Sequence, residues 1–389
     1  MHGIFYGGAS RSLFHLIKNL DKEIFEIVIY TISCDSEEIK QDFLKYVEKI
    51  QFVNLSTISV NQVYQNSLLH YYKNRNKSCK NFVEKLVNDN IHILHINTSV
   101  FPQIPQWVKK NSRIKVITHV REWLSPLTKG IIQDYMIKKI SESSDEIIAI
   151  SDNEAQLFYH CRDKLHIIPN PFNFNIIKNV KDNYRIHNDM SKEIILVTML
   201  SHFSIKKGHL NFLAALKEII NNKMTNYPVM FLIVGFKDKR TWWKLLIKKL
   251  LFKSDYTSKV LHYIRKNNLS KFVKLIPYTN DVFTIIKASN IIVRPADSAD
   301  PWGRDIIEAM ALKKSLVATG TSEFFIENDK TGYLVSPKNS KELAKKISVL
   351  INDKNKRMLF GENAYIKIKK MCDIELYEKK LLSIYKSLI

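Results

Sequence analysis

Between residues 300 and 310 the chain reads Asp-Pro-Trp-Gly-Arg-Asp-Ile-Ile-Glu-Ala-Met. Two carboxylates, Asp300 and Glu308, stand eight residues apart. The first falls in a loop; the second falls on the second turn of a helix expected over Asp305–Leu312. A pair so placed can address one ligand at the mouth of the loop. Sugars and riboses offer vicinal hydroxyls, which suit carboxylate acceptors. Between the two, the backbone N–H groups near Gly303 and Arg304 stand where a helix N-terminus can cradle a phosphate. The same text also fits a solvated Asp and a helix-capping Glu, and the residues alone leave both readings open.

The glycines add a second signal. There are 10 of them, against roughly 27 expected at about 7% usage. A chain this sparing keeps glycine where the backbone needs it. Gly7 and Gly8 precede a helix expected over Ser12–Leu20, and Gly208 follows Lys207 just before another helix. Gly235 ends an apolar run, Gly303 precedes the helix described above, and Gly320 and Gly332 fall in turns. In open α/β sheets ligands bind at the carboxyl ends of strands, where such loops lie. One such glycine ends a strand in any α/β protein, so the weight rests on the set.

These residues need a scaffold, and the apolar runs supply one. In the first half they are Ile27–Tyr30, Ile91–Ile96, Ile114–Thr118, Glu146–Ile150 and Leu165–Ile168. In the second half they are Ile194–Leu200, Val229–Val234, Phe272–Ile276, Ile291–Val293 and Leu316–Ala318. They do not alternate polar with apolar, so they read as strands buried on both faces, as in a parallel sheet covered by helices. Two such sets predict two doubly wound α/β domains.

With 45% hydrophobic and 25% charged residues, the 389-residue composition excludes a mostly disordered chain. The four cysteines are widely spaced, without a CxxC pair, which argues against a metal knuckle or disulfide scaffold. No apolar run reaches the roughly 18 residues of a membrane span, and the basic-then-apolar pattern of a signal peptide is missing. A cytoplasmic protein is expected, peripheral on the inner face of the cytoplasmic membrane.

The net charge of +22 is unevenly placed: residues 1–190 carry +4, and residues 191–389 carry +18. Within 237–274 there are 12 basic and 2 acidic residues. The segment 239–253 sets Trp242 and Trp243 with leucines on one half of a helical wheel, and Lys244, Lys248 and Lys249 on the other. Such a helix suits an anionic membrane interface. It equally suits a core helix with a solvated lysine face.

Several motifs in order resemble a known family. Gly7-Gly8-Ala-Ser-Arg-Ser-Leu13 resembles its N-domain glycine loop. Ile148-Ala-Ile-Ser151 with Ile168-Pro-Asn170-Pro resembles the end of that domain. Lys207-Gly208-His209 resembles the start of its phosphate site, Asp300 to Met310 its paired-glutamate motif, and Gly332-Tyr-Leu-Val the turn that follows. The family is the GT-B glycosyltransferases of the family 4 type, which use nucleotide sugars and retain anomeric configuration. The resemblance implies two Rossmann-like domains facing across a cleft. These are an N-terminal acceptor-side domain over 1–175 with its first strand truncated, a linker over 176–192, a nucleotide-sugar-binding domain over 193–365, and a C-terminal helix over 366–389 packing back on the first domain.

The resemblance also implies roles. Lys207 neutralises the donor diphosphate, Glu308 holds ribose hydroxyls, and Asp300 holds hydroxyls of the donor sugar. Gly303 and Arg304 border the phosphates, and Pro277 and Tyr278 border the base. Gly7 and Gly8 let the backbone approach the donor. His119 contacts the donor sugar, and Arg121 and Glu122 line the acceptor side. The catalytic set is thus His119, Asp300 and Lys207. No cofactor and no metal are expected, because a lysine and oriented N–H groups can stabilise the leaving group. The expected partners are a nucleotide sugar, a lipid-linked or oligosaccharide acceptor and an anionic membrane surface.

Three departures stand out. Asp300 occupies a position where the family usually has Glu. Met199 stands roughly where the family often has Arg, leaving Lys206 or Arg304 as replacements. Only six residues precede Gly7, so the first domain is expected to lack its central strand or to begin upstream. Competing readings are a catalytically impaired homologue, a phosphorylase or epimerase of the same fold, and a basic nucleic-acid-binding protein.

Overall fold

The computed structural model describes residues 3–4, 8–55, 67–121, 131–181, 183–236, 256–297 and 303–389. The chain divides into two compact units: Met1–Pro171 with Ile374–Ile389, and Phe172–Asp373.

In the first unit, β1 (Val28–Thr31) and β2 (Lys49–Phe52) form a parallel pair. β3 (Ile93–Ile96), β4 (Lys115–Val120), β5 (Glu146–Ala149) and β6 (Leu165–Ile167) form a four-stranded parallel sheet in that order. Ile4 makes one parallel bridge to Cys34, just beyond β1. A cavity of about 530 Å³ is lined by Val28–Tyr30, Ile91–Ile96 and Tyr385 among others.

Among the described residues the second unit holds six parallel strands. They are β7 (Ile195–Leu200), β8 (Val229–Phe236), β9 (Val273–Pro277), β10 (Ile291–Arg294), β11 (Ser315–Thr319) and β12 (Tyr333–Val335). Their order is β12-β11-β10-β7-β8-β9. From β7 the chain winds outward through β8 and β9. From β10 it winds the other way through β11 and β12. This is the doubly wound order with one switch point, between β7 and β10.

The unbroken apolar runs have a direct cause. Successive side chains of a strand point to opposite faces, and both faces are covered. Val197 and Met199 of β7, with Phe231 and Ile233 of β8, join a cluster with Phe212 and Leu216 of the helix His209–Asn221. Leu196 and Leu232 join a separate cluster with Ile285 and Ala288. β4 does the same: Val116 packs with Leu86 and Leu94, and Ile117 packs with Leu381 and Tyr385 of the helix Ile374–Ser387.

Some expectations need correcting. Residues 176–192 are not a separate linker, because they belong to the second unit. Arg185 ties the segment down through hydrogen bonds to the carbonyls of Ala288, Ser191 and Ile194 and to Asn290 Oδ1. No single helix covers 366–389. Helices Lys354–Met371 and Ile374–Ser387 meet at Cys372–Asp373, and only the second belongs to the first unit. β2 and β12 were missed: Lys49–Phe52 is largely unburied and carries few apolar residues, and Tyr333–Val335 is only three residues long.

Candidate functional site

At the switch point two loops meet. After β7 the chain makes a 3-10 turn over Ile205–Lys207 and reaches Gly208, which sits at φ 74° and starts the helix His209–Asn221. Two constraints demand glycine here. The left-handed conformation disfavours a side chain. In addition, a Cβ would stand 1.7 Å from the carbonyl oxygen of Pro295, in the loop after β10. The Asp297 N–H donates to the Lys206 carbonyl at 3.0 Å, so the two loops are clamped together. Lys207 is half-buried at this clamp, and the first N–H groups of the helix have no side-chain cap. Burial pushes the Asp297 carboxyl up. It also pushes the His209 ring down to about 4, against Phe203 at 4.4 Å and Tyr256 at 5.7 Å.

After β10, Gly303 precedes the helix Arg304–Ala311, again without a side-chain cap. Arg294, at the end of β10, pairs with Asp305 at 2.9 Å, and a Cβ on Gly303 would lie within 2.7 Å of both side chains. The Arg304 Nε donates to Glu308 at 3.3 Å, and Glu308 is buried on the second turn. The result is two uncapped helix N-termini, a lysine and a buried carboxylate along the carboxyl ends of β7 and β10. Free N–H groups and a lysine attract phosphate, and a carboxylate accepts from hydroxyls. At the end of β9, the Tyr278 N–H donates to the Phe236 carbonyl, and its exposed side chain follows Pro277. Met199 is buried in the core, so β7 offers no cation there.

In the first unit, His119 lies inside β4, which runs two residues beyond the expected Thr118. Its ring is fully buried and stacks beside His95 of β3 at 5.4 Å. The register pairs His95 with Ile117, so His119 is the next residue on the same face. Arg121 follows β4 and reaches Asn97 Oδ1 at 2.6 Å, Asn170 Oδ1, His119 Nδ1 at 3.2 Å and Tyr377 Oη at 3.4 Å. Burial, then the Arg121 charge, holds the His95 ring down to about 3 and drives His119 well below its usual range.

Lys207, Gly208, Pro277, Tyr278, Gly303, Arg304 and Glu308 therefore lie in the second unit, and Gly8, His119 and Arg121 in the first. Gly8 opens the helix Gly8–Asn19. Gly7, Glu122, Asp300, Trp242, Trp243, Lys244, Lys248 and Lys249 lie outside the described residues. Among the described residues no cluster of three or more His, Cys, Asp or Glu could hold a metal, and no helix is long and apolar enough to cross a membrane. Sequence reasoning missed His95, Asn97, Tyr377, Tyr385 and the Arg294–Asp305 pair. A histidine inside the apolar run Ile91–Ile96 was a usable signal for the first; the tyrosines sit in an ordinary amphipathic helix and gave none.

The comparisons with known proteins agree on one family. The model described as "Glycosyltransferase Family 4" matches residues 6–175, and "Glycosyl transferases group 1" matches 180–367. An uncharacterized glycosyltransferase of Methanocaldococcus jannaschii is 25% identical over 355 residues, 89% of this chain and 86% of that one. A poly(ribitol-phosphate) alpha-N-acetylglucosaminyltransferase of Staphylococcus aureus is 24% identical over 81% of this chain and 60% of its own length. Anabaena HepE, solved with UDP and glucose, superposes with a TM-score of 0.77 at 18% identity, covering 100% of this chain and 98% of that one.

Proposed function

Since the chain belongs to the GT-B glycosyltransferases of the family 4 type, we propose that it moves a hexosyl group from a nucleotide-sugar donor to a lipid-linked or saccharide acceptor, with retention and without a metal, in cell-surface polysaccharide assembly. The observation that carries this reading is the switch-point arrangement of Lys207, Gly208, Gly303 and Glu308. In it, Glu308 takes the ribose hydroxyls, and the Lys207 ammonium with the helix N–H groups meets the diphosphate. As the glycosidic bond to the leaving group breaks, negative charge builds on the diphosphate, and preoriented donors stabilise it without reorganising. The reading takes front-face substitution as its course, in which the acceptor attacks on the side the leaving group departs from.

Asp300 holds sugar hydroxyls in this reading, Arg121 and Glu122 line the acceptor side, and the 239–253 segment rests the enzyme on an anionic membrane. HepE, a relative in fold, was solved with UDP and glucose, and the Staphylococcus relative is named for transferring N-acetylglucosamine to poly(ribitol-phosphate); the first supports a nucleotide-sugar donor and the second a polymer acceptor. The test is hydrolysis and transfer across a panel of nucleotide sugars, with product configuration read by NMR. Turnover of one donor with retained configuration, undiminished by EDTA, is expected. Turnover of none would favour an impaired homologue, and phosphate-dependent release of a sugar phosphate would favour a phosphorylase.

A further inference from the structure

Behind His119 lies a chain of rings that the donor-site reading does not use. Tyr385 Oη, from the helix that returns to the first unit, stands 2.6 Å from His95 Nδ1. His95 Nε2 stands 3.2 Å from His119 Nδ1, and Arg121 Nη2 stands 3.2 Å from the same His119 Nδ1. His119 Nε2 is buried with no hydrogen-bond partner among the described residues.

The proton positions follow from what each group can do. A guanidinium has only donors, so the His119 Nδ1 beside Arg121 must present its lone pair. A neutral imidazole carries one proton, so the His119 proton is on Nε2. His95 Nε2 faces that same lone pair, and two lone pairs would repel, so His95 also carries its proton on Nε2. Its Nδ1 is then an acceptor, and Tyr385 donates to it.

We propose that Arg121 and the Tyr385–His95 pair lock His119 as the tautomer protonated on Nε2, so that it meets its substrate as a hydrogen-bond donor and not as a base, with His95 and Tyr385 as positioning residues. The proposal deepens the donor-sugar role given to His119 above and rests on that reading for its substrate. The N–H is thereby left to donate to an oxygen of the substrate. The groups against His119 among the described residues are Arg121 after β4 and His95 on β3, with Tyr377 bonded to Arg121 and Tyr385 to His95 from the last helix. Among the described residues none of these is a carboxylate that would stabilise an imidazolium, and the burial and positive charge described above keep both rings neutral.

The tautomers can be read without any turnover. Full-length protein labelled with 15N-histidine is measured by long-range nitrogen–proton NMR, with signals assigned through His95→Gln and His119→Gln. Both rings are expected with a protonated Nε2 and an imine-type Nδ1, unchanged across about pH 5 to 8, where ordinary histidine titrates. A His119 protonated on Nδ1, or an imidazolium in that range, overturns the proposal. Tyr385→Phe keeps the ring in its apolar seat and removes the donor. It should move the His95 Nδ1 resonance toward that of an unbonded imine, and Arg121→Met should do the same to His119 Nδ1. If both variants retain the native circular dichroism and neither resonance moves, the tautomer lock is refuted.

With the donor found in the panel, His119→Gln, which restores an N–H donor, should outperform His119→Leu in kcat by roughly 2–10-fold, the worth of one hydrogen bond. Equal losses in both would refute the donor role while leaving the glycosyltransferase reading intact. Failure of the panel would strike that reading and leave the NMR result standing.

Discussion

The contact between Gly208 and Pro295 makes a quantitative prediction. In Gly208→Ala the new methyl would have to move from 1.7 Å to at least the 3.0 Å below which real side chains are essentially never found, a displacement of about 1.3 Å against backbone. Alanine at φ 74° adds about 1–2 kcal/mol of its own. With the forced separation of the two loops, the loss should total on the order of 2–4 kcal/mol. The same displacement moves Lys207 and the N-terminus of the following helix away from the loop after β10. A misplacement near 1 Å can cost about 100-fold in rate, and nucleotide affinity should fall with it.

Gly361→Ala is the control. Its Cβ would meet the Lys313 carbonyl at 2.1 Å, at the packing of the helix Lys354–Met371 and away from the switch point. It should lower the unfolding midpoint too, but not nucleotide affinity. The measurements are denaturant unfolding and calorimetric titration with whichever of UDP, GDP or ADP binds the unaltered protein. Gly208→Ala with native affinity would refute the claim that this clamp shapes a nucleotide site. So would Gly361→Ala losing affinity as severely.

Lys207→Ala and Glu308→Ala should each leave the melting curve near native and lose roughly 1.5–3 kcal/mol of transition-state binding, read as kcat/KM; near-normal values in both would remove them from the site. Acid should destabilise the protein. An unfolded histidine takes a proton near pH 6.5, whereas the buried rings of His95 and His209 take theirs only at about 3 and about 4. Between those values the unfolded chain holds more protons, so stability falls as pH falls, by about 1.4 kcal/mol per unit per ring. His209→Leu should flatten the second unit's share of that slope between pH 6.5 and about 4, and an unchanged slope in denaturant unfolding would contradict the burial argument. Replacing Lys244, Lys248 and Lys249 with Glu should release the protein from anionic liposomes, each lysine contributing about 1 kcal/mol near the surface; unchanged sedimentation would reject the membrane reading.

What the sequence made legible follows from how each feature is encoded. The ten apolar runs were readable because a strand buried on both faces needs apolar side chains at both parities, and β7 and β8 satisfy two separate clusters at once. Lys49–Phe52 and Tyr333–Val335 carry too little apolar text to announce a strand, and only their parallel neighbours reveal them. The expected linker failed for the opposite reason. Its Asn, Lys and Asp residues suggested solvent, but a single guanidinium, Arg185, fastens the segment to carbonyls about a hundred positions away or close by. Composition has no term for such a contact.

The candidate site divides along the same line. Residues held by backbone demands, such as Gly208 and Gly303, were visible in a chain that uses glycine so rarely. Yet Gly361 shows the limit of that signal. It is crowded by the Lys313 carbonyl as Gly208 is by that of Pro295, where the helix Lys354–Met371 passes the turn before β11. What separates the two is topology: Gly208 stands at the one place where the winding reverses, so its loop meets the loop after β10 rather than a neighbouring helix. The link from Tyr385 to His95 was not legible, because Tyr385 lies 290 residues beyond His95 and reaches it only when the last helix returns to the first unit. Residue type named His119 as a candidate. Only the direction in which Arg121 must donate says which of its nitrogens carries the proton.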